Sequence, residues 1–152
     1  MRLWGRRRRP GVATEAPAPV TPRRVADELT RQGYAFRVGG DGVLTGTWDG
    51  HRLWFLLLGD ERGLLQVRGR AARTTPVEHH DALVQVLNDW NRDGLWPAAH
   101  AREEQGVLLV YGEVSTPFEL GATDAQLAHA IRTGVAGCLA LFEALDSLVR
   151  VE

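Results

Sequence analysis

Lysine is missing from this chain: all 18 of its basic residues are arginine. That removes the GxxxxGK[ST] phosphate loop, Schiff-base chemistry and pyridoxal attachment together, because each needs an amine on a flexible stem. Cysteine is almost as scarce. The single thiol, Cys138, excludes an internal disulfide framework and any zinc site built on two or more thiolates, and it fits a reducing, cytoplasmic setting. No apolar run approaches the ~18 residues of a membrane span. The opening MRLWGRRRRPG has the basic start of a signal peptide, but VATEAPAPV behind it carries Glu15 and two prolines where an apolar stretch would be needed. The protein is therefore expected to remain in the cytoplasm.

What is present is unevenly placed. Residues 1–20 hold Arg2, Arg6, Arg7, Arg8 and Arg9 against Glu15 alone, a net charge of +4, so a total of −1 leaves −5 for residues 21–152. An acidic body is a poor match to nucleic acid, which is not expected as a partner. The first 20 residues are rich in Pro, Ala and Arg without apolar periodicity and read as a disordered tail. Within it, Arg6, Arg7, Arg8 and Arg9 offer at most a weak contact to an anionic membrane surface, at about 1 kcal/mol per arginine. The remaining stretch, 21–152, is the size of one domain, and 44% hydrophobic content across the chain suffices for a core.

In TPRRVADELTRQG, Thr21 as N-cap, Pro22 at the first helical position and Gly33 as the left-handed stop predict a short amphipathic helix. From Tyr34 the period changes to that of strands: YAFRV, VLTGTW, HRLWFLLL and LLQVRGRA, separated by glycine-rich turns. Asp49-Gly50 is a tight-hairpin signal, since a type I′ turn needs positive φ at both central residues. A second helix is expected with Thr75 as its cap, Pro76 at its start, Leu83, Val84, Leu87 and Trp90 at helical spacing, Gly94 as its stop and Leu95 closing a Schellman contact. Two strands joined at Gln105-Gly106 follow, Ala98 to Glu104 and Val107 to Ser115. A long helix opened by Thr123 and Gln126 carries the stripe Leu127, Ile131, Val135, Cys138, Phe142, Leu145 and Val149. The order α-β-β-β(-β)-α-β-β-α lacks βαβ alternation and predicts an α+β fold, an antiparallel sheet packed by helices.

No residue is assigned a catalytic, cofactor-binding or metal-binding role. His79, His80 and Asp81 are adjacent, so on a helix they diverge by about a hundred degrees and read as a solvated face. Cys138 falls in the apolar stripe and reads as a small buried hydrophobe. Gly39, Gly40, Gly42 and Gly46 join strand to strand without GxGxxG spacing. Acid pairs such as Glu103-Glu104 and Asp60-Glu61 fall beside turns. Gly134 and Gly137 inside a helix each cost about 1 kcal/mol against alanine, which points to close approach of a sheet or of a second subunit.

Three stretches, GTWDGHRLWFLLLG (46–59), VLNDWNRDGLWP (86–97) and EVSTPFELGATDAQL (113–127), in this order and spacing resemble the YbjN-domain family over about residues 21–149. The matching positions are Asn88, Trp90, Asn91, Trp96 and Pro97, then Gly121, Thr123, Gln126 and Leu127. Ala98 and His100 depart from a lysine and an aromatic expected after the proline. The resemblance implies a fold similar to type III secretion chaperones, a homodimer and a sensory-transduction regulator without an established catalytic activity.

Two functions follow as expectations. The first is a non-enzymatic, chaperone-like module binding a segment of a partner protein, with exposed members of the set Trp48, Trp54, Trp90 and Trp96 as anchors. The second is a small-molecule sensor or an enzyme, with Asn88 and Asn91 gripping a polar ligand near Trp96. Asn88, Trp90, Asn91 and Trp96 are thus the candidate partner- or ligand-binding residues. The same two asparagines have a structural alternative, bonding the backbone of the loop that follows.

Overall fold

The structure, a computed structural model, describes residues 15–94 and 96–149. Helix α1 (Pro22–Arg31) begins where Thr21, in extended conformation, accepts the Arg24 N–H on its Oγ1 at 3.2 Å. It ends at Gly33, whose φ of 79° a residue with a Cβ rarely adopts. Its Val25 and Leu29 are fully buried, as the amphipathic spacing requires.

Seven strands make one antiparallel sheet: β1 (Arg37–Val38), β2 (Leu44–Trp48), β3 (His51–Leu58), β4 (Leu64–Arg70), β5 (Thr75–Pro76), β6 (Ala98–Glu104) and β7 (Val107–Pro117). The first four run as a meander. Asp49 and Gly50 turn with φ of 51° and 84°, and Gln105 and Gly106 with 50° and 81°, so both expected tight hairpins form. Strand β7 then inserts beside β4 and organises the rest. One edge pairs with β6 over Val107–Glu113; the other pairs with β4 over Tyr111–Pro117 and with β5 at Val107 and Leu108.

That arrangement corrects the expected start of the second helix. Thr75 does not cap it and Pro76 is not its first residue; both are extended and pair with β7, because β4 leaves that edge at Arg70 with four positions, Val107 to Val110, beyond its pairing. A 3₁₀ turn (Val77–His79) follows, and helix α2 (His80–Arg92) begins without a side-chain cap. Gly94 does stop it, at φ 68°. Leu95 lies outside the described residues.

Helix α3 (Asp124–Val149) opens on a reciprocal capping box: Gln126 N–H donates to Thr123 Oγ1 at 3.1 Å and Thr123 N–H to Gln126 Oε1 at 2.9 Å. By length and hydropathy it would suffice to cross a membrane. Instead, Leu127, Ile131, Val135, Cys138 and Phe142 are buried. Glycine in both layers lets α3 lie close to the sheet. A Cβ on Gly134 would sit 2.5 Å from Val67 Cγ2, and one on Gly69 would meet the Phe142 ring at 3.0 Å. At the Gly134 position, the close approach implied by helix glycines is therefore made to the sheet.

Strands alternate their side chains between faces, and the core takes only one set: Leu44, Leu53, Phe55, Leu65, Val67, Ala99 and Val110 cluster with residues of all three helices. The opposite face of the sheet meets no helix among the described residues.

Residues before Thr21 also contact the fold. Ala18 bridges to Ala122 through N–H···O bonds of 3.1 and 2.9 Å, Glu15 Oε1 accepts the Asp124 N–H at 2.9 Å, and Arg24 reaches both Ala18 O and Ala122 O. These bonds satisfy donors and acceptors at the entry to α3 and tie Glu15 and Ala18 to it. Residues 1–14, with Arg6 to Arg9, lie outside the described residues.

Candidate functional site

The segment NDWNRDGLWP, Asn88 to Pro97, resolves into distinct duties. Asn91 clasps the edge strand β6: its Oδ1 accepts the Ala99 N–H and its Nδ2 donates to the Ala99 carbonyl, each at 2.8 Å. The side-chain amide thus replaces the next strand's peptide group on that edge. Trp90 Nε1 donates to the Pro97 carbonyl at 2.8 Å. The Trp96–Pro97 peptide is cis, and Pro97 is fully buried against Gly112 and Gly137. Asn88, three residues before Asn91, is exposed and makes no hydrogen bond among the described residues. Trp96 is 65% exposed. The two asparagines therefore do not converge on one ligand; the segment seals the return from α2 into β6 and leaves Trp96 outside the seal.

Beside that seal α2 and α3 form a groove. Helix α3 lies across both β4 and β7. Its apolar stripe is fully buried as far as Phe142 and less covered beyond it. Leu145 is half-buried and Leu148 is 54% exposed. Helix α2 approaches from the side with Leu83, Val86 and Trp90. Between them are two adjoining hollows of about 380 and 280 Å³, both walled by Val86, Leu145 and Leu148. One reaches inward to Phe142 and Val110; the other runs along Leu141 to Trp90. A Cβ on Gly137, one turn before Leu141, would lie 3.6 Å from the Trp96 carbonyl and from Pro97, so the loop after α2 passes beside this part of α3.

The rim carries polar groups: Arg73, paired with Asp146 at 3.6 Å, Thr74, Thr75 and His79 border the wider hollow, and Asp89 and Asp93 the narrower. His80 Nδ1 lies 3.1 Å from Asp81 Oδ1 on an exposed face, and no cluster of three or more potential metal ligands occurs among the described residues. Cys138 is inaccessible, and desolvation by burial pushes its thiol up from 9.0 to about 12, a protonated core group. Of the tryptophans expected as anchors, Trp48 packs edge-on against Tyr34 and Phe55 at the core margin. Trp54 lies on the open sheet face, Trp90 lines the groove, and Trp96 is the exposed one. Sequence reasoning missed Val86 and Leu148 and took Leu145 for core. The available signal was the apolar spacing itself, which runs on through Leu145 and Leu148 to the end of α3.

Comparisons with known proteins agree on the family of this one-sided helix-on-sheet domain. The family described as "YbjN: Putative bacterial sensory transduction regulator" matches residues 21–147. The chain belongs to the YbjN family. Its fold is similar to the crystal structure of YbjN from E. coli, titled a putative transcription regulator, with a TM-score of 0.71 at 16% identity, covering 88% of this chain and 97% of that one. Among curated proteins no match is found.

Proposed function

We propose that this protein is a non-enzymatic regulatory module that seats an amphipathic helical segment of a partner protein in the groove between α2 and α3. The observation that carries this reading is the incompletely covered end of α3, where half-buried Leu145 and exposed Leu148 face Val86 across a groove that Trp90 also lines. A helix laying residues i, i+3, i+4 and i+7 into such a groove buries apolar area on both sides, and a tryptophan at its end is a favoured anchor. The family's description as a regulator supports the non-enzymatic character. The small-molecule reading asked Asn88 and Asn91 to grip one ligand; Asn91 is instead engaged on Ala99, which favours the partner reading.

The test is photo-crosslinking in the source cells from benzoylphenylalanine placed at Leu148, with the exposed Thr133 as control site. The expected result is one discrete partner joined from position 148, mapped to an amphipathic peptide, and lost with Trp96→Ala. Crosslinks only between copies of this chain would assign the groove to the expected homodimer and overturn the proposal. A small metabolite co-purifying in stoichiometric amount without any protein partner would do the same.

A further inference from the structure

The sheet face that no helix covers has its own chemistry. Strand register places Arg37, Thr45, Trp54, Arg68 and Glu113 in one row, and Thr47, Arg52, Arg70, Tyr111 and His100 in the next. Arg102 and Glu104 share this face on β6 by alternation. Five arginines thus stand against two glutamates, a net charge of +3. Since residues 21–152 sum to −5, the rest of the body carries −8. The acidic total that argued against nucleic acid conceals a basic face.

Arg68 Nε lies 3.0 Å from Glu113 Oε1 but at an angle that leaves it without a hydrogen bond; the pair attracts by charge alone. Arg102 lies 3.9 Å from Glu104. Arg37, Arg52 and Arg70 have no ion-pair partner among the described residues, although Arg52 and Arg70 are directly opposite across β3 and β4. Like charges in that position repel. What holds them is Trp54, with the two guanidinium carbons 5.6 and 5.5 Å from its ring centroid. The same pattern recurs at Tyr111, which stacks on the exposed His100 at 5.3 Å and 8° and has Arg102 at 6.0 Å.

We propose that this open face binds single-stranded nucleic acid, its unpaired arginines meeting phosphates and its aromatic-backed planes meeting bases. Charge complementarity disfavours two nearer occupants, since a second copy would bring the same basic face and the chain's own residues 1–14 bring Arg6 to Arg9. An acidic peptide would use the charges but leave the planar groups idle. Bases stack on such planes without regard to sequence, which is how single strands are held on open sheets.

The experiment uses the full chain and a fluorescein-labelled 20-nucleotide oligo-dT, followed by anisotropy from low to moderate salt. Three arginines free of ion pairs predict a slope of log K against log [salt] of about −2, at ~0.7 per phosphate. Arg52→Gln with Arg70→Gln should weaken binding at least tenfold and flatten the slope by about 1.4. Because that substitution relieves an opposed charge pair, its melting temperature should not fall; were it to fall, Arg102→Gln on the edge strand gives a second, milder reading of the same face. Absence of binding overturns the proposal, as does binding that survives these substitutions and disappears when Arg6 to Arg9 are changed to glutamine. Equal capture of labelled polyglutamate, or of anionic vesicles by the same arginines, overturns it in favour of an acidic peptide or a lipid surface.

Discussion

Replacing Asn91 by alanine removes two hydrogen bonds at once and orphans both backbone groups of Ala99 on the sheet edge. Ala99 is 7% exposed, so water replaces the lost partners only in part. Each bond is worth about 0.5–1.5 kcal/mol net, and a buried group left unpaired costs about 1–3 kcal/mol. Asn91 itself is exposed, which lets solvent enter from its side and places the sum near the lower end, about 2.5 kcal/mol. With an unfolding entropy of ~2.1 cal/mol/K per residue over the ordered domain, the melting temperature should drop by about 9 °C. The assay is thermal denaturation followed by circular dichroism, beside Trp96→Ala, which removes an exposed side chain and should shift the midpoint by less than about 2 °C. A drop below about 3 °C for Asn91→Ala would refute the assignment of this amide as the clasp of β6.

Two further outcomes follow from the packing of α3. The raised thiol of Cys138 works through protonation: the folded state favours the neutral form, so its contribution is complete below pH 9 and is lost as pH rises from about 9 towards 12. At up to about 1.4 kcal/mol per pH unit, the native protein should lose about 2 kcal/mol more than Cys138→Ala between pH 9 and 11; parallel denaturant curves for the two would contradict the burial of the thiol. The two glycines of α3 should respond in opposite directions in urea titrations. Gly134→Ala forces a methyl onto the stiff Val67 at 2.5 Å and should destabilise by about 1–2 kcal/mol after the gain in helix propensity. Gly137→Ala meets nothing nearer than 3.6 Å and should stabilise by up to about 1 kcal/mol.

Local chemistry was legible wherever the signal and its partner were close in the chain. The Thr21 and Thr123 caps, the Gly33 and Gly94 stops, and the hairpins at Asp49-Gly50 and Gln105-Gly106 each depend on a few neighbouring residues, and each formed as read. Thr75-Pro76 failed for the complementary reason. A capping signal competed with the vacant edge of β7, more than thirty residues away, and the strand pairing prevailed. Asn91 was legible as an amide at a helix end, but its partner Ala99 became definite only once β6 was placed as an edge strand.

The sequence by itself determined the element order apart from β5, the turn types, the single buried thiol and the family, because periodicity, glycine positions and motif spacing are properties of neighbours along the chain. The tertiary structure alone decided which faces remain open. The groove exists because α2 comes to lie beside the end of α3, and the basic platform exists because register aligns arginines from separate strands that the net charge had averaged away. Both are consequences of which distant residues come to lie side by side, and neither composition nor local pattern records that.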